Sequence, residues 1–271
     1  MNSIILTPTE EKIVGLVGRH GKNIVSLQEV SDVVGVKSPG WHLENLNRKG
    51  LAKKVSRGTY ALELENYFDG DWLPSPYTYI NALLGDRPYY VGGVVALYFS
   101  GLTTQVYWSR IDVFSEKHLN NRIAGYAKVI FHKAQEHKLK LGTRVIDLED
   151  EKVMFSDPEK TVLDILELPK LFGEADGGVG LVTTLFEEIN VEKLTRYATI
   201  IGKASSCQKL GVLLDRQQLI PKSYESLLEK VRAGKGVPVM DPSNNRKGKW
   251  NAKWRIIEND VIRERKNPKW Q

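Results

Sequence analysis

Side chains suited to nucleic-acid recognition cluster between residues 37 and 60, where six basic residues and one acidic residue lie. A helix that starts near residue 38 would bury two leucines on one side. At 100° per residue, Trp41, Asn45 and Arg48 then fall on the opposite, exposed side. In the DNA major groove, asparagine can pair bidentately with adenine and arginine with guanine. The stretch therefore predicts a helix that reads DNA bases.

The predicted DNA-binding set extends to the start of this helix and to a basic hairpin that follows it. Ser38 and the free N–H groups of the helix start can hold a phosphate. The hairpin cations would contact the DNA backbone or the minor groove. Two alternatives stay open: an ordinary solvated face of a small helical domain, and a winged module that binds protein. The full set is Lys37, Ser38, Trp41, His42, Asn45, Arg48, Lys49, Lys53, Lys54 and Arg57.

Two helices with capping boxes are predicted before the DNA-reading helix. Thr7 is the N-cap of the first, and Glu10 closes its box. Ser26 and Glu29 repeat the pattern for a second helix, which Gly35 ends. The expected apolar stripe of the second helix is Leu27, Val30, Val33 and Val34.

The third helix is predicted to run from Ser38 to about Lys49. A short β-hairpin follows, with strands at 51–55 and 59–62 and with Gly58 supplying the turn. Three short helices followed by a basic hairpin is the order of a winged helix-turn-helix. We therefore predict this fold for the start of the chain.

The 271 residues are enough for about two domains of roughly 100–200 residues each. We predict a winged helix-turn-helix domain at 1–65, a linker at 66–76 and a larger mixed domain at 77–271, which makes the fold class α+β. In the larger domain, strands are expected mainly in the first half and helices mainly in the second. The expected helices are 77–84, 93–100, 156–168, 179–189, 191–201, 204–217 and 223–232, and the expected strands are 89–91, 111–114, 128–131 and 254–257.

Composition excludes several classes of protein. A single cysteine, Cys207, rules out an internal disulfide framework and a cysteine-built zinc site, and it fits a reducing cytosol. The first residues lack the pattern of a signal peptide. The uncharged stretch 89–109 has a strongly apolar part, 91–102, that is too short to span a membrane. We therefore expect a cytoplasmic protein without membrane contact.

The C-terminal end carries a second basic segment. Residues 246–271 hold nine basic and three acidic residues, with tryptophans among the cations. Such a pattern can stack on bases and hold phosphates. The alternative is a strand and loop whose tryptophans pack in the core. The segment predicts a second nucleic-acid patch of Arg246, Lys247, Lys249, Trp250, Lys253 and Arg255.

Signals for catalysis are weak. Asp150 and Lys152 have the acid-x-Lys spacing of many metal-dependent nucleases, and Asp112 could supply a second carboxylate. A nuclease is therefore the alternative from another functional class, although 147–151 is better explained as an acidic loop. Ser156 and Glu159 predict a capping box for a helix that carries Asp164. Asp164 is expected on the surface of this helix, paired with Lys160 or a neighbouring backbone group, and the alternative is a buried or semi-buried polar contact. We predict no catalytic residue, no metal and no cofactor.

The chain resembles the AbiEi-type antitoxins, which are transcriptional regulators of type IV toxin–antitoxin systems. The resemblance covers most of the chain in the family's order, and its most specific part is 157–164. Thr59 stands where the family more often has valine, and Lys160 where arginine is commoner. The matching stretches are 48–51, 57–60, 89–97, 101–105, 157–164, 177–178 and 209–214, followed by Trp254 and Asn259.

The resemblance implies two functions. The N-terminal winged domain would bind double-stranded DNA at repeats upstream of its own operon and repress it. The C-terminal domain would counter a toxin of the nucleotidyltransferase class, and this arrangement does not require a stable complex between the two proteins. The antitoxin role follows from the resemblance alone.

Overall fold

A computed structural model describes residues 5–20, 24–62, 72–104, 109–148, 151–169 and 178–260. The chain divides into two compact units. The first comprises Met1–Val91, Tyr107–Leu139 and Arg144–Phe155, and the second comprises Gly92–Val106, Lys140–Thr143 and Ser156–Gln271. The N-terminal helices thus share a unit with most of the strands. The predicted linker at 66–76 lies partly outside the described residues and stays a prediction.

The N-terminal part of the first unit consists of three helices and a three-stranded antiparallel sheet. Its core completely buries Ile13, Val30, Leu43 and Leu46, so that each helix contributes to it. The strand order is β1-β3-β2. The elements are α1 (Pro8–His20), β1 (Ile24–Ser26), α2 (Leu27–Val34), α3 (Pro39–Arg48), β2 (Ala52–Ser56) and β3 (Thr59–Leu62).

Local hydrogen bonds start these helices where the sequence predicts. Thr7 and Glu10 form the reciprocal box, because Glu10 Oε2 accepts from Thr7 N (2.7 Å) and Thr7 Oγ1 accepts from Glu10 N (3.3 Å). Ser26 caps α2 by accepting from the backbone N–H of Glu29. The apolar stripe predicted for α2 is wrong at Val33, which is exposed. Only a narrow side of this short helix, centred on Val30, faces the core.

A six-stranded mixed sheet forms most of the rest of the first unit. Its order is β6-β7-β5-β4-β9-β8, with β5 and β7 parallel and β6 and β7 antiparallel. Helix α4 packs against β2, and Trp72 Nε1 donates to the carbonyl of Gly50 (2.6 Å). The elements are α4 (Pro76–Leu84), β4 (Tyr89–Gly92), β5 (Arg110–Ser115), β6 (Arg122–Ala124), β7 (Ala127–Lys133), α6 (Glu136–Lys140), β8 (Thr143–Leu148) and β9 (Glu151–Ser156).

The second unit is mainly helical. Trp254 lies in its core against Gly211, and a two-stranded antiparallel ribbon of β10 and β11 stands near the C-terminal end of the described chain. No helix in the described ranges is long and apolar enough to cross a membrane. The elements are α5 (Gly93–Tyr98), α7 (Pro158–Glu167), α8 (Val179–Leu185), α9 (Val191–Ile201), α10 (Ala204–Arg216), α11 (Tyr224–Ala233), β10 (Lys249–Asn251) and β11 (Ile256–Glu258).

The mixed α+β class is confirmed, and so is the bias of strands to the first half of the region after the linker. The acidic loop predicted at 147–151 is wrong at its two ends, because Asp147 lies in β8 and Glu151 in β9, whereas residues 149–150 lie outside the described residues. The strand expected at 254–257 starts instead at Ile256, because the buried Trp254 occupies the turn before it.

Candidate nucleic-acid interface

Helix α3 has one buried and one exposed side, as its sequence predicts. Leu43 and Leu46 are completely buried, whereas Trp41 is 58% exposed. Arg48 is exposed and Asn45 is half-buried. Within the described part of the chain, no hydrogen bond or ion pair occupies the side chain of Asn45 or Arg48. Both groups are therefore available to an external partner.

The turn of the hairpin after α3 is held against the start of α2 by a hydrogen bond. Gly58 has a φ of 78°, and its carbonyl accepts from the N–H of Leu27 at the start of α2 (2.9 Å). Lys54 and Arg57 are exposed and Lys53 is half-buried. None of the three side chains has a hydrogen-bond or ion-pair partner among the described residues. The hairpin thus presents free cations on a fixed support.

Lys49 differs from these cations because it is engaged within the protein. Its Nζ donates to Glu10 Oε2 (2.6 Å) and to the carbonyl of Ile5 (2.9 Å). Burial raises the pKa of Glu10, but hydrogen bonds from Lys49 and Thr7 outweigh it and hold that pKa below its ordinary value. The phosphate contact predicted for Lys49 would have to compete with this ion pair, which links the start of α1 to the end of α3.

The predicted site residues near the start of α3 have different surroundings. Lys37 and Ser38 are exposed, and the Ser38 side chain makes no capping hydrogen bond. His42 is half-buried under Trp41, whose ring meets it edge-on at 4.9 Å. The His42 Nδ1 atom is buried and without a partner in the described ranges. Ser38 is thus open to a phosphate, whereas His42 turns partly inward.

Glu44, the acidic residue of this stretch, is held by its neighbours. Its carboxylate accepts from the hydroxyl of Tyr60 (3.2 Å) and from the side-chain amide of Asn47 (3.3 Å). Burial, together with the charge and hydrogen bond of Glu44, raises the pKa of Tyr60. The contact fastens α3 to β3 of the hairpin.

The structure separates the predicted C-terminal patch into two groups. Lys253 Nζ lies 3.0 Å from Asp215 Oδ2, and the Arg255 guanidinium donates to two carbonyls at the end of α11. Trp254, between them, is 0% exposed, as the alternative of core packing expects. The other four residues are exposed: Arg246, Lys247, Lys249 and Trp250.

The candidate nuclease residues do not assemble a metal site among the described residues. Asp112 is buried, and its carboxylate binds Arg110 (2.9 and 3.0 Å) and His132 (2.7 Å). The described residues include no group of three or more metal-ligating side chains. Asp150 lies outside them, and Lys152 lies on β9.

The stretch 157–164 forms the start and body of α7. The predicted cap is wrong: Asp157, not Ser156, accepts from the N–H of Lys160 (2.8 Å), while Ser156 bonds the hydroxyl of Thr161. Lys160 pairs with Asp164 (2.9 Å), as predicted. Both side chains are buried rather than on the helix surface, because α7 packs against α5, α8, α9 and α10.

Lys193 of α9 joins the same cluster, and sequence reasoning missed it. Its Nζ lies 2.9 Å from Asp157 Oδ2 and 2.8 Å from Glu159 Oε2. Burial lowers the pKa of Lys193, but hydrogen bonds to these two carboxylates outweigh it and raise that pKa well above its ordinary value. No local pattern connects residues so far apart along the chain. The cluster fastens α9 to α7, which is a structural role.

The chain matches no family model and no curated protein. It is similar to the crystal structure of the RV2827C protein from Mycobacterium tuberculosis, with a TM-score of 0.63. The alignment covers 96% of this chain and 94% of that one, at 15% sequence identity. At this identity the similarity concerns the fold, which the two chains share over most of their length.

Proposed function

We propose that this protein is a DNA-binding transcriptional repressor of its own operon, with a winged helix-turn-helix at its N-terminus. The observation that carries the proposal is the exposed side of α3. Opposite two buried leucines it presents Trp41, Asn45 and Arg48, and neither the amide nor the guanidinium has an internal partner among the described residues. These are the groups that recognise base edges in the major groove.

The proposed interface divides into base-reading and phosphate-binding residues. Trp41, Asn45 and Arg48 would contact base edges, and the exposed hydroxyl of Ser38 would hold a phosphate at the helix start. The free cations of the docked hairpin would bind the backbone: Lys53, Lys54 and Arg57. Phosphate contacts fix the register of the protein on the duplex, and base contacts give it specificity.

The antitoxin role stays a prediction from the family resemblance. The partner expected there is a toxin of the nucleotidyltransferase class, with or without direct contact. The test is co-expression with a nucleotidyltransferase-class toxin encoded next to this gene: restored growth of the host supports the role, and unrelieved toxicity or the lack of such a neighbouring gene argues against it.

Fluorescence anisotropy tests the DNA-binding proposal. The probes are duplex DNA from upstream of the gene and a scrambled duplex, each measured at about 50 mM and about 200 mM salt. We expect tighter binding to the upstream duplex. At the higher salt concentration the affinity should fall by orders of magnitude, because the release of counterions from the DNA contributes less free energy to binding. Equal affinity for both duplexes would contradict a specific repressor. Absence of binding together with co-purification of a protein partner would favour the alternative of an interaction module.

A further inference from the structure

The exposed part of the C-terminal basic segment, here named the ribbon patch, consists of Arg246, Lys247, Lys249 and Trp250. Lys247 and Lys249 are exposed, and no described residue bonds to either ammonium. Arg246 uses one nitrogen to donate to the carbonyl of Val237 (2.8 Å) and is otherwise exposed. Three cations thus lie within four positions of the chain, on the loop and strand that form one side of the ribbon.

The acidic residues near the patch are bound elsewhere. Lys249 stands opposite Glu258 in the register of β10 and β11. The Glu258 carboxylate nevertheless accepts from Arg216 (2.6 Å) and from the Asn251 amide (2.9 Å). Arg216 also binds Asp260 (2.5 Å). The Lys249 ammonium has no partner among the described residues and can therefore bind an external anion.

The loop that carries Lys247 is held in one shape by buried and partly buried polar contacts. The Asn259 amide donates to the carbonyls of Asp241 (2.9 Å) and Asn245 (2.6 Å), and its oxygen accepts from the N–H of Asp241 (2.9 Å). Gly248 comes so close to the carbonyl of Glu258 that a Cβ would lie under 3.0 Å from it. A loop ordered in advance loses less conformational entropy when it binds.

Trp250 is 48% exposed, although Trp254, four residues later, is completely buried. Its strand β10 pairs with β11 and lies at the edge of the ribbon. Neighbouring residues of a strand point to opposite faces, so Lys249 and Trp250 lie on the two faces of the ribbon. Both lie beside the edge of β10 that does not pair with β11. A chain of nucleotides that passes this edge can place one base on the indole and one phosphate on the ammonium.

We propose that the ribbon patch binds an unpaired nucleotide segment, of RNA or of single-stranded DNA. Trp250 stacks on one base, and Lys247, Lys249 and Arg246 hold the flanking phosphates. Aromatic side chains among cations bind single strands in this way with little sequence preference. An unpaired segment fits better than a duplex, because both faces of a base in a duplex are covered by its neighbours. The site lies in the second unit and does not depend on DNA reading by α3.

The test uses the full chain and labelled oligonucleotides of about 12 nucleotides, oligo(rU) and oligo(dT), in fluorescence anisotropy. Trp250→Ala should weaken binding about ten-fold or more, since one stacked base contributes on that scale. Lys247→Gln with Lys249→Gln should also weaken binding and flatten its salt dependence. The matched control, Arg196→Gln with Lys222→Gln, removes two exposed charges from the same unit and should bind like the wild type.

A second control separates this site from the proposed DNA-reading helix. Trp41→Ala should keep oligonucleotide binding and lose affinity for upstream duplex DNA. Trp250→Ala should lose oligonucleotide binding and keep its affinity for that duplex. A preference for oligo(rU) or for oligo(dT) identifies the occupant and supports the proposal. The proposal would be overturned if the wild type bound no oligonucleotide, or if Trp250→Ala and the double lysine variant bound as tightly as the wild type. It would also be overturned if an acidic protein bound the ribbon patch and oligonucleotides did not displace it.

Discussion

Replacing Lys49 with alanine should loosen the N-terminal helices, whereas the neighbouring Arg48 is expected to read bases. The Glu10 side chain is 1% exposed and would lose an ammonium at 2.6 Å, although it would keep the bond from Thr7 N (2.7 Å). Unpairing a buried charge costs about 3–5 kcal/mol when no water can reach it. Because the Lys49 side chain is 30% exposed, water can enter, and we expect about 1–3 kcal/mol.

The effect should depend on pH. The folded pKa of Glu10 is lowered from 4.5, so the stability that this carboxylate contributes is present above that value and is lost as the pH falls through the folded pKa. The difference between wild type and Lys49→Ala should therefore be full near neutral pH and should shrink below pH 4.5.

Hydrogen exchange read by mass spectrometry measures the loss directly, because it resolves peptides of α1 and α3 in the full chain. Lys54→Ala is the matched control: this exposed lysine has no partner among the described residues, so its loss should leave exchange unchanged. Unchanged exchange in Lys49→Ala, together with a loss of affinity for duplex DNA of any sequence, would refute the reasoning. Lys49 would then bind phosphate, as its sequence position alone suggests.

Three further variants test the core of the second unit, helix α1 and the hairpin. Gly211→Ala would bring a Cβ under 3.0 Å from the ring of the buried Trp254 and should lower the free energy of unfolding in urea by about 1–3 kcal/mol. A Cβ added at Gly15 would meet no atom within 4 Å, so Gly15→Ala should instead stabilise α1 by up to about 1 kcal/mol. Equal stability changes in the two variants would contradict the packing described for Trp254. Replacing Lys54 and Arg57 together with glutamine should weaken binding to every duplex and lower the salt slope by about 2, and an unchanged slope would remove the hairpin from the interface.

Features fixed by neighbours along the chain were predictable from the sequence. The Thr7–Glu10 box, the Ser26 cap and the turn at Gly58 depend on residues no more than a few positions apart. The buried side of α3 followed from its two leucines and the helical period. The exposed side, which carries the proposed DNA-reading residues, was therefore predictable as well.

Features fixed by distant residues were not predictable. Lys49 belongs to the basic stretch by sequence, but its partner Glu10 lies 39 positions away. Trp250 and Trp254 both stand among cations in the sequence, yet Trp254 packs in the core against Gly211, where the absence of a side chain leaves room for its ring, and Trp250 is exposed. Such outcomes depend on which helices and strands pack together, and a local pattern carries no information about this.

The affinity of Arg48→Ala for duplex DNA from upstream of the gene tests the central claim most directly. If Arg48 reads a base through a bidentate contact, the variant should lose about 1–3 kcal/mol of binding free energy on that duplex, roughly a 5- to 150-fold increase in Kd. Its affinity for scrambled DNA, which depends mainly on the backbone-binding cations, should change much less. An equal loss on both duplexes, or no loss on either, would contradict base reading by α3.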